Sequence, residues 1–265
     1  MYKIGYSPGT GTGYPFRGLL GGPDTDINLR NNPDALQDCA FIILWGGLDI
    51  HPKYYDEQKH PTSDAIFEGT RDTFEFSIAT KAIDLGIPIV GVCRGAQWLS
   101  ILAGGSLYQN IQHHNESSHM VKWRRNDGVG WSNGVVNSAH HQAMCLHSMP
   151  PQEVIPLAWS SSSHICEYMD GDSIGSDPTH VLEACYFPKI KGLAIQGHPE
   201  WLDSQHPFVD MSRVWFNNHI LPEIQGATLQ EPPLSTSIAD TADFIVMMKS
   251  TAGRVPKKLV VLNNQ

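Results

Sequence analysis

The sequence predicts an α/β protein, a three-layer sandwich in which helices cover both faces of a mostly parallel central sheet. Three observations carry that prediction. Short, continuous apolar runs recur at 41–45 (Phe-Ile-Ile-Leu-Trp), 87–90 (Ile-Pro-Ile-Val) and 192–196 (Gly-Leu-Ala-Ile-Gln), the pattern of strands buried on both faces. Between the first two, Phe67, Phe74, Ile78, Ala82 and Leu85 recur with helical spacing, so 68–85 is an amphipathic crossover helix that Gly86 stops. Each run also ends in glycine or in chemically active residues, which is where an open α/β sheet gathers its site.

The elements follow in order. Residues 1–5 (Met-Tyr-Lys-Ile-Gly) already form the first strand, leaving no secretory leader, and 9–22 is a glycine-rich loop without a phosphate-loop lysine. Strand 41–45, helix 68–85 and strand 87–90 make one right-handed parallel unit, which brings Gly46-Gly47 and the residues after Val90 to the same sheet edge. A helix-compatible stretch then runs to Leu102-Ala103. Gly134-Val135-Val136 is a small strand, 160–179 reads as a hairpin or mobile loop, and a helix after Phe208-Val209-Asp210 carries Val214, Trp215, Asn218 and Ile220 toward Pro222. The catalytic domain is placed at 1–222. The extension 223–265 has a linker at Glu231-Pro232-Pro233 and two apolar pieces, 244–248 and 259–262, read as a helix and a terminal strand packed on the main domain.

Composition removes several function classes. A chain of 265 residues with 41% hydrophobic residues, 18 prolines and 24 glycines builds one large core, and a formal charge of -9 opposes nucleic-acid binding. The cluster Lys122, Arg124 and Arg125 is a solvated loop edge. Five cysteines, at 39, 93, 145, 166 and 185, have neither disulfide-framework nor zinc spacing, which points to the cytoplasm, and no apolar run reaches membrane-spanning length.

The chemistry concentrates at two strand ends. In Gly91-Val92-Cys93-Arg94-Gly95 the glycines permit the sharp strand-to-helix turn of a nucleophile elbow, which holds Cys93 out above the sheet edge. The N–H groups and positive dipole end of the following helix favour a thiolate there. Strand 192–196 delivers Gly197-His198-Pro199-Glu200-Trp201 just beyond its end, so His198 can serve as the base and Glu200 can turn back across rigid Pro199 to fix its tautomer. Attack on an amide carbonyl also needs two converging donors for the oxyanion, and the backbone N–H groups of Gly47 and Arg94 are the candidates.

Other polar residues carry less chemistry. Asp72 suits a helix N-terminus, and Arg71 and Glu75, four apart, either pair on one helix face or reach the amino-acid head group of a substrate. His140 and His141 are adjacent and do not converge on one ion, so no metal site is predicted. His113, His114 and His119 read as solvent-facing loop residues.

The ordered series Trp45-Gly46-Gly47-Leu48-Asp49-Ile50-His51-Pro52, Arg71-Asp72 with Glu75, 91–105, Leu107 to Ile111, Val136 to Gln142, Leu182-Glu183-Ala184 and His198-Pro199-Glu200 resembles the class I glutamine amidotransferase superfamily. Within it the match is nearest to the gamma-glutamyl-gamma-aminobutyrate hydrolase branch and extends over about residues 41–220. The resemblance implies a flavodoxin-like sandwich and a Cys93–His198–Glu200 triad that cleaves gamma-glutamyl amide bonds without a cofactor. It also implies Gln97, Ser138, His140 and His141 beside a small gamma-glutamyl substrate, and it leaves open a glutaminase that supplies ammonia to a synthetase, and a homo-oligomer. Two departures bear on the substrate: the N-terminal region before Phe41 is short and 160–179 is an insertion, so the gamma-aminobutyrate leaving group itself does not follow.

Overall fold

The structure is a computed structural model that describes residues 2–9, 26–65, 70–112, 114, 118–125, 130–146 and 149–226. In chain order the strands are β1 (Ile4–Tyr6), β2 (Asp26–Asn28), β3 (Phe41–Leu44), β4 (Ile89–Val92), β5 (Ser106–Tyr108), β6 (Asn110–Ile111), β7 (Ser118–Arg124), β8 (Trp131–Asn137), β9 (Ala143–Cys145), β10 (Ile155–Asp170), β11 (Ser173–Phe187) and β12 (Gly192–Ile195). The α-helices are α1 (Thr70–Asp84), α2 (Arg94–Leu102), α3 (Pro207–His219) and α4 (Leu221–Gln225).

Among the described residues the main sheet runs β2-β1-β3-β4-β12-β11-β10-β7-β8, with β6 added against β10. Its pairings from β2 through β12 are parallel, and those from β12 outward to β8 are antiparallel. The three predicted apolar runs are its buried centre, because every residue of β3, β4 and β12 is buried. The two-residue period of a strand then splits each run between two cores. Ile42 and Leu44 face the layer of α1 and α2, among Ile78, Ala82, Trp98 and Ile101. Phe41 and Ile43 face the layer of α3, among Phe208, Trp215 and Phe216. This is the predicted α/β sandwich.

The crossover helix occupies Thr70–Asp84 and ends at Gly86, whose φ of 69° few side-chain-bearing residues tolerate. Phe67, counted toward that helix in the sequence, lies outside the described residues, as do 10–25 and 227–265 with the predicted linker and the apolar pieces of the extension. The boundary placed after Pro222 falls inside α4.

Residues 160–179 do form a hairpin, but a much longer one than their composition suggests. Strands β10 and β11 pair from Ile155↔Tyr186 to Asp170↔Ser173, and Gly171, at φ 59°, opens the two-residue turn. All five cysteines are free and buried. No described helix is long and apolar enough to cross a membrane.

Candidate active site

The elbow is a product of local sterics. Cys93 sits between β4 and α2 at φ 52° and ψ -108°, a region costly for a residue with a side chain, of order 1–3 kcal/mol. A Cβ on Gly91 would collide with the backbone of Gly95, and a Cβ on Gly95 with the carbonyl of Leu44, so strand and helix reach this packing only with glycine on either side of the cysteine. The Cys93 N–H donates to Ile195 O at 2.8 Å, which fastens the elbow to the end of β12.

Immediately past β12 comes His198. Asn137, at the end of β8, clamps its backbone from both sides: His198 N–H donates to Asn137 Oδ1 at 2.9 Å, and Asn137 Nδ2 donates to His198 O at 2.7 Å. The ring Nδ1 lies 2.7 Å from Glu200 Oε1, and Cys93 is near enough to the ring to raise its pKa. Trp201 stacks on the imidazole, with ring centroids 3.6 Å apart and planes within 4°. Burial alone would lower the His198 pKa, but the interactions with Cys93 and Glu200 win and push it up to about 9. Cys93 is only 5% exposed, packed in one cluster with Trp45, Val92 and Ile195, and this corrects the expectation that the elbow leaves it open to solvent.

The glycine loop after β3 lies against the start of α2. A Cβ on Gly47 would strike the Arg71 guanidinium and come within 3.5 Å of Arg94 Cδ, so the glycine loop and the first residue of α2, which carry the two backbone N–H groups named for an oxyanion, are neighbours. Beneath them is a buried ion network. The Arg94 guanidinium donates to both Glu75 and Asp72, Arg71 Nε donates to Glu75 Oε1 at 2.9 Å, and Trp98 Nε1 donates to Glu75 Oε2 at 2.9 Å. Arg71 also donates to Trp45 O at 2.9 Å. The Arg71–Glu75 pair matches the four-residue spacing. Asp72 does more than sit in a first turn, since it accepts from Arg94 and from the His51 N–H at 3.0 Å.

Of the residues named for substrate contact, Gln97 Nε2 donates to Gln142 O at 3.1 Å, and His140 Nδ1 lies 2.8 Å from the same carbonyl. Ser138 Oγ donates to His114 O at 2.7 Å. His141 pairs with Asp49 at 3.1 Å, and that hydrogen bond raises its pKa against the effect of burial.

Residues 31–200 match the Peptidase C26 family. The chain belongs to that family. A glutamine amidotransferase-like protein of Lactococcus lactis, YvdE, is 35% identical over 197 residues, 67% of this chain and 71% of that one. A Mycobacterium tuberculosis protein named among glutamine amidotransferases is 27% identical over 187 residues, and the match spans 67% of this chain and 56% of that one. In solved structures the fold is similar to that of a GMP synthase component from Thermoplasma acidophilum, with a TM-score of 0.54 at 16% identity over 85% of this chain and 96% of that one. A glutamine amidotransferase of Methylobacillus flagellatus gives 0.50 at 14% identity, over 95% and 92%.

In this C26 protein two histidines lie where the sequence did not put them. His114 and His119 are not solvent-facing: their Nε2 atoms lie 3.0 and 2.9 Å from Glu183 Oε1, with His114 fully enclosed and His119 15% exposed at its side chain. His113 is outside the described residues. Burial opposes the charge on Glu183, yet the hydrogen bonds from His114 and His119 hold it well below the usual carboxylate range. Asn137, Trp201 and Glu183 acquire roles only in three dimensions. The sequence cues were the place of Trp201 directly after the His-Pro-Glu turn and the presence of Asn137 and Glu183 in the resembling segments.

Proposed function

We propose that the protein is a cysteine hydrolase of gamma-glutamyl amide bonds, in glutamine, gamma-glutamyl amines or short gamma-glutamyl peptides. The observation that carries this reading is the placement of Cys93 and His198 at the ends of the paired strands β4 and β12, with Glu200 Oε1 2.7 Å from His198 Nδ1 and Cys93 near enough to raise the His198 pKa. The Cys93 thiolate attacks the gamma-carbonyl carbon, and the oxyanion is held by the N–H groups of Gly47 and Arg94. His198, protonated through its contacts with Cys93 and Glu200, gives its proton to the departing nitrogen as the C–N bond breaks and a thioester remains. The same imidazole, now neutral, takes a proton from water, which attacks the thioester and releases glutamate and the thiolate. Glu200 keeps the ring in register throughout, and Trp201 holds its plane. On this reading 1–222 is the catalytic unit, and Gln97, Ser138, His140 and His141 border the glutamyl group. Five free thiols suit a cytoplasmic setting.

The test is glutamate release by the purified chain from a panel of glutamine, gamma-glutamyl amines and gamma-glutamyl peptides. Release from at least one member without any partner supports the stand-alone hydrolase. Silence on the panel, with glutaminase activity only after a co-purifying synthetase is added, replaces it with an ammonia-supplying glutaminase.

A pH dependence follows from the raised His198 pKa. Its proton is needed for the leaving nitrogen and is retained below about 9, so kcat/KM falls as pH rises through that value. Glu200→Gln weakens one of the interactions that raise the pKa. It therefore moves the alkaline limb to lower pH and reduces kcat by roughly 10–100-fold, less than His198→Ala does. An alkaline limb unmoved in Glu200→Gln removes Glu200 from this role.

A further inference from the structure

We propose that His114, His119, His140 and Glu183 form a binding site for a divalent transition-metal ion of the zinc class. The four side chains are His114, which precedes β7 in the chain, and residues of β7 itself, of the loop after β8 and of β11. Three imidazole Nε2 atoms converge on one carboxylate: His114 at 3.0 Å and His119 at 2.9 Å from Oε1, and His140 at 3.9 Å from Oε2. The donor atoms of His114, His119 and Glu183 all lie within 4.8 Å of one another. A tetrahedral zinc with ligands at about 2.0–2.2 Å separates its donors by roughly 3.3–3.5 Å. The nitrogen-to-oxygen separations of 2.9–3.9 Å bracket that value, while His140 lies outside the group of three whose donor atoms are all within 4.8 Å, so its ring moves inward to complete the set.

The second observation is a pair of orphaned atoms. His140 Nε2 and Glu183 Oε2 are buried, aimed at each other, and without a hydrogen-bond partner among the described residues. His140 Nδ1 faces the Gln142 carbonyl at 2.8 Å, and a carbonyl can only accept, so the ring proton sits on Nδ1. Nε2 of the neutral ring then presents a lone pair to a carboxylate oxygen, an arrangement that favours a cation between them. A backbone carbonyl that fixes the distal N–H is also the usual outer support of a metal-bound histidine.

Ligand chemistry narrows the ion. Imidazoles with a single carboxylate suit zinc and its neighbours, whereas calcium and magnesium take mostly oxygen. Four protein donors leave no open position, so the ion is structural. It would tie β7 and β11 to the loop that follows Asn137, whose side chain clamps the His198 backbone. The triad Asp49, Asp64 and His141 contrasts with this, because each of its carboxylates already accepts from the other's backbone N–H.

The experiment measures metal in the full-length purified chain by mass spectrometry, then strips it with a chelator and titrates the chain with Zn²⁺ against a chromophoric chelator and with Co²⁺ by visible absorption. About one equivalent of zinc per chain is expected, together with the intense absorption of four-coordinate cobalt. His119→Ala, at the most exposed ligand, and Glu183→Gln should each weaken Zn²⁺ binding at least about 10-fold, whereas Asp64→Asn should leave it unchanged. X-ray absorption of the cobalt-loaded wild-type chain should show nitrogen-dominated ligation even if a variant does not fold. The proposal is overturned if the folded, chelator-treated chain takes up neither ion, if Asp64→Asn abolishes binding while Glu183→Gln retains it, or if the cobalt shell contains only oxygen. In the first case the imidazoles serve solely as hydrogen-bond partners of Glu183.

Discussion

Cys93→Ala should lower gamma-glutamyl amide hydrolysis by roughly 10⁴-fold or more while leaving the melting temperature within a few degrees of the parent. The loss is large because, on the proposed mechanism, the thioester cannot form without the sulfur, and His198 and the two backbone N–H groups have no nucleophile to assist. The fold should survive because the elbow is held by features that the substitution leaves in place. These are Gly91 and Gly95 in close packing and the backbone bond from residue 93 to Ile195 O. Limited iodoacetamide treatment provides a companion measurement. Burial pushes the Cys39 thiol up to about 11 and raises those of Cys166 and Cys185 further, so these remain protonated at neutral pH. Cys93, beside the imidazole of His198 whose pKa it helps to raise, should be carboxamidomethylated first. Prior labelling of Cys39, Cys145, Cys166 or Cys185 with Cys93 untouched would falsify its assignment as the nucleophile.

What could be read from the sequence was whatever depends on neighbours in the chain. The elbow is visible because the two glycines and the cysteine they flank meet within five residues, and the steric need for glycine is local. The parallel centre is visible because a strand buried on both faces must be apolar throughout, as β3, β4 and β12 are. The His198–Glu200 contact spans two residues and a proline, so it too is local.

The remainder depends on pairings distant in sequence. Residues 160–179 are rich in Ser, Gly and Asp and read as loop or short hairpin, but register with β6, β7 and the rest of β11 extends the ladder far beyond that stretch. His114 and His119 stand in a polar segment that looks solvated. They are enclosed because Glu183, 69 and 64 residues away, arrives on β11, across β10 from β7 in the same sheet. Cys93 is buried, and not open to solvent as an elbow residue is expected to be, for the same reason. The elbow does lift the side chain above the sheet edge, but Trp45, from the end of the adjacent β3, packs in the same cluster.

The network under the elbow carries the largest expected effect on stability. Glu75 is fully buried and accepts hydrogen bonds from Arg71, Arg94 and Trp98. Glu75→Ala leaves Asp72 as the remaining carboxylate partner of the buried Arg94 guanidinium in this network and orphans the Trp98 N–H. Removing one member of a buried ion pair typically costs about 3–5 kcal/mol, because the uncompensated charge stays desolvated. For a chain of this size that corresponds to a melting temperature lower by about 10 °C. Glu75→Gln keeps the volume and an acceptor for Trp98 but loses the charge, so it should fall between Glu75→Ala and the parent. The effect should reach the chemistry as well. Arg94 is the first residue of α2, and its side chain is anchored through this network, so loosening the anchor shifts the backbone N–H proposed to hold the oxyanion. Such a shift lowers kcat with little change in KM, since the ground-state carbonyl makes weaker demands on that donor than the tetrahedral intermediate does. Thermal melts and steady-state kinetics on the two variants, run below the lower melting temperature, measure both consequences. A melting temperature within about 2 °C of the parent in Glu75→Ala would mean that water reaches Arg94 and that the network contributes little.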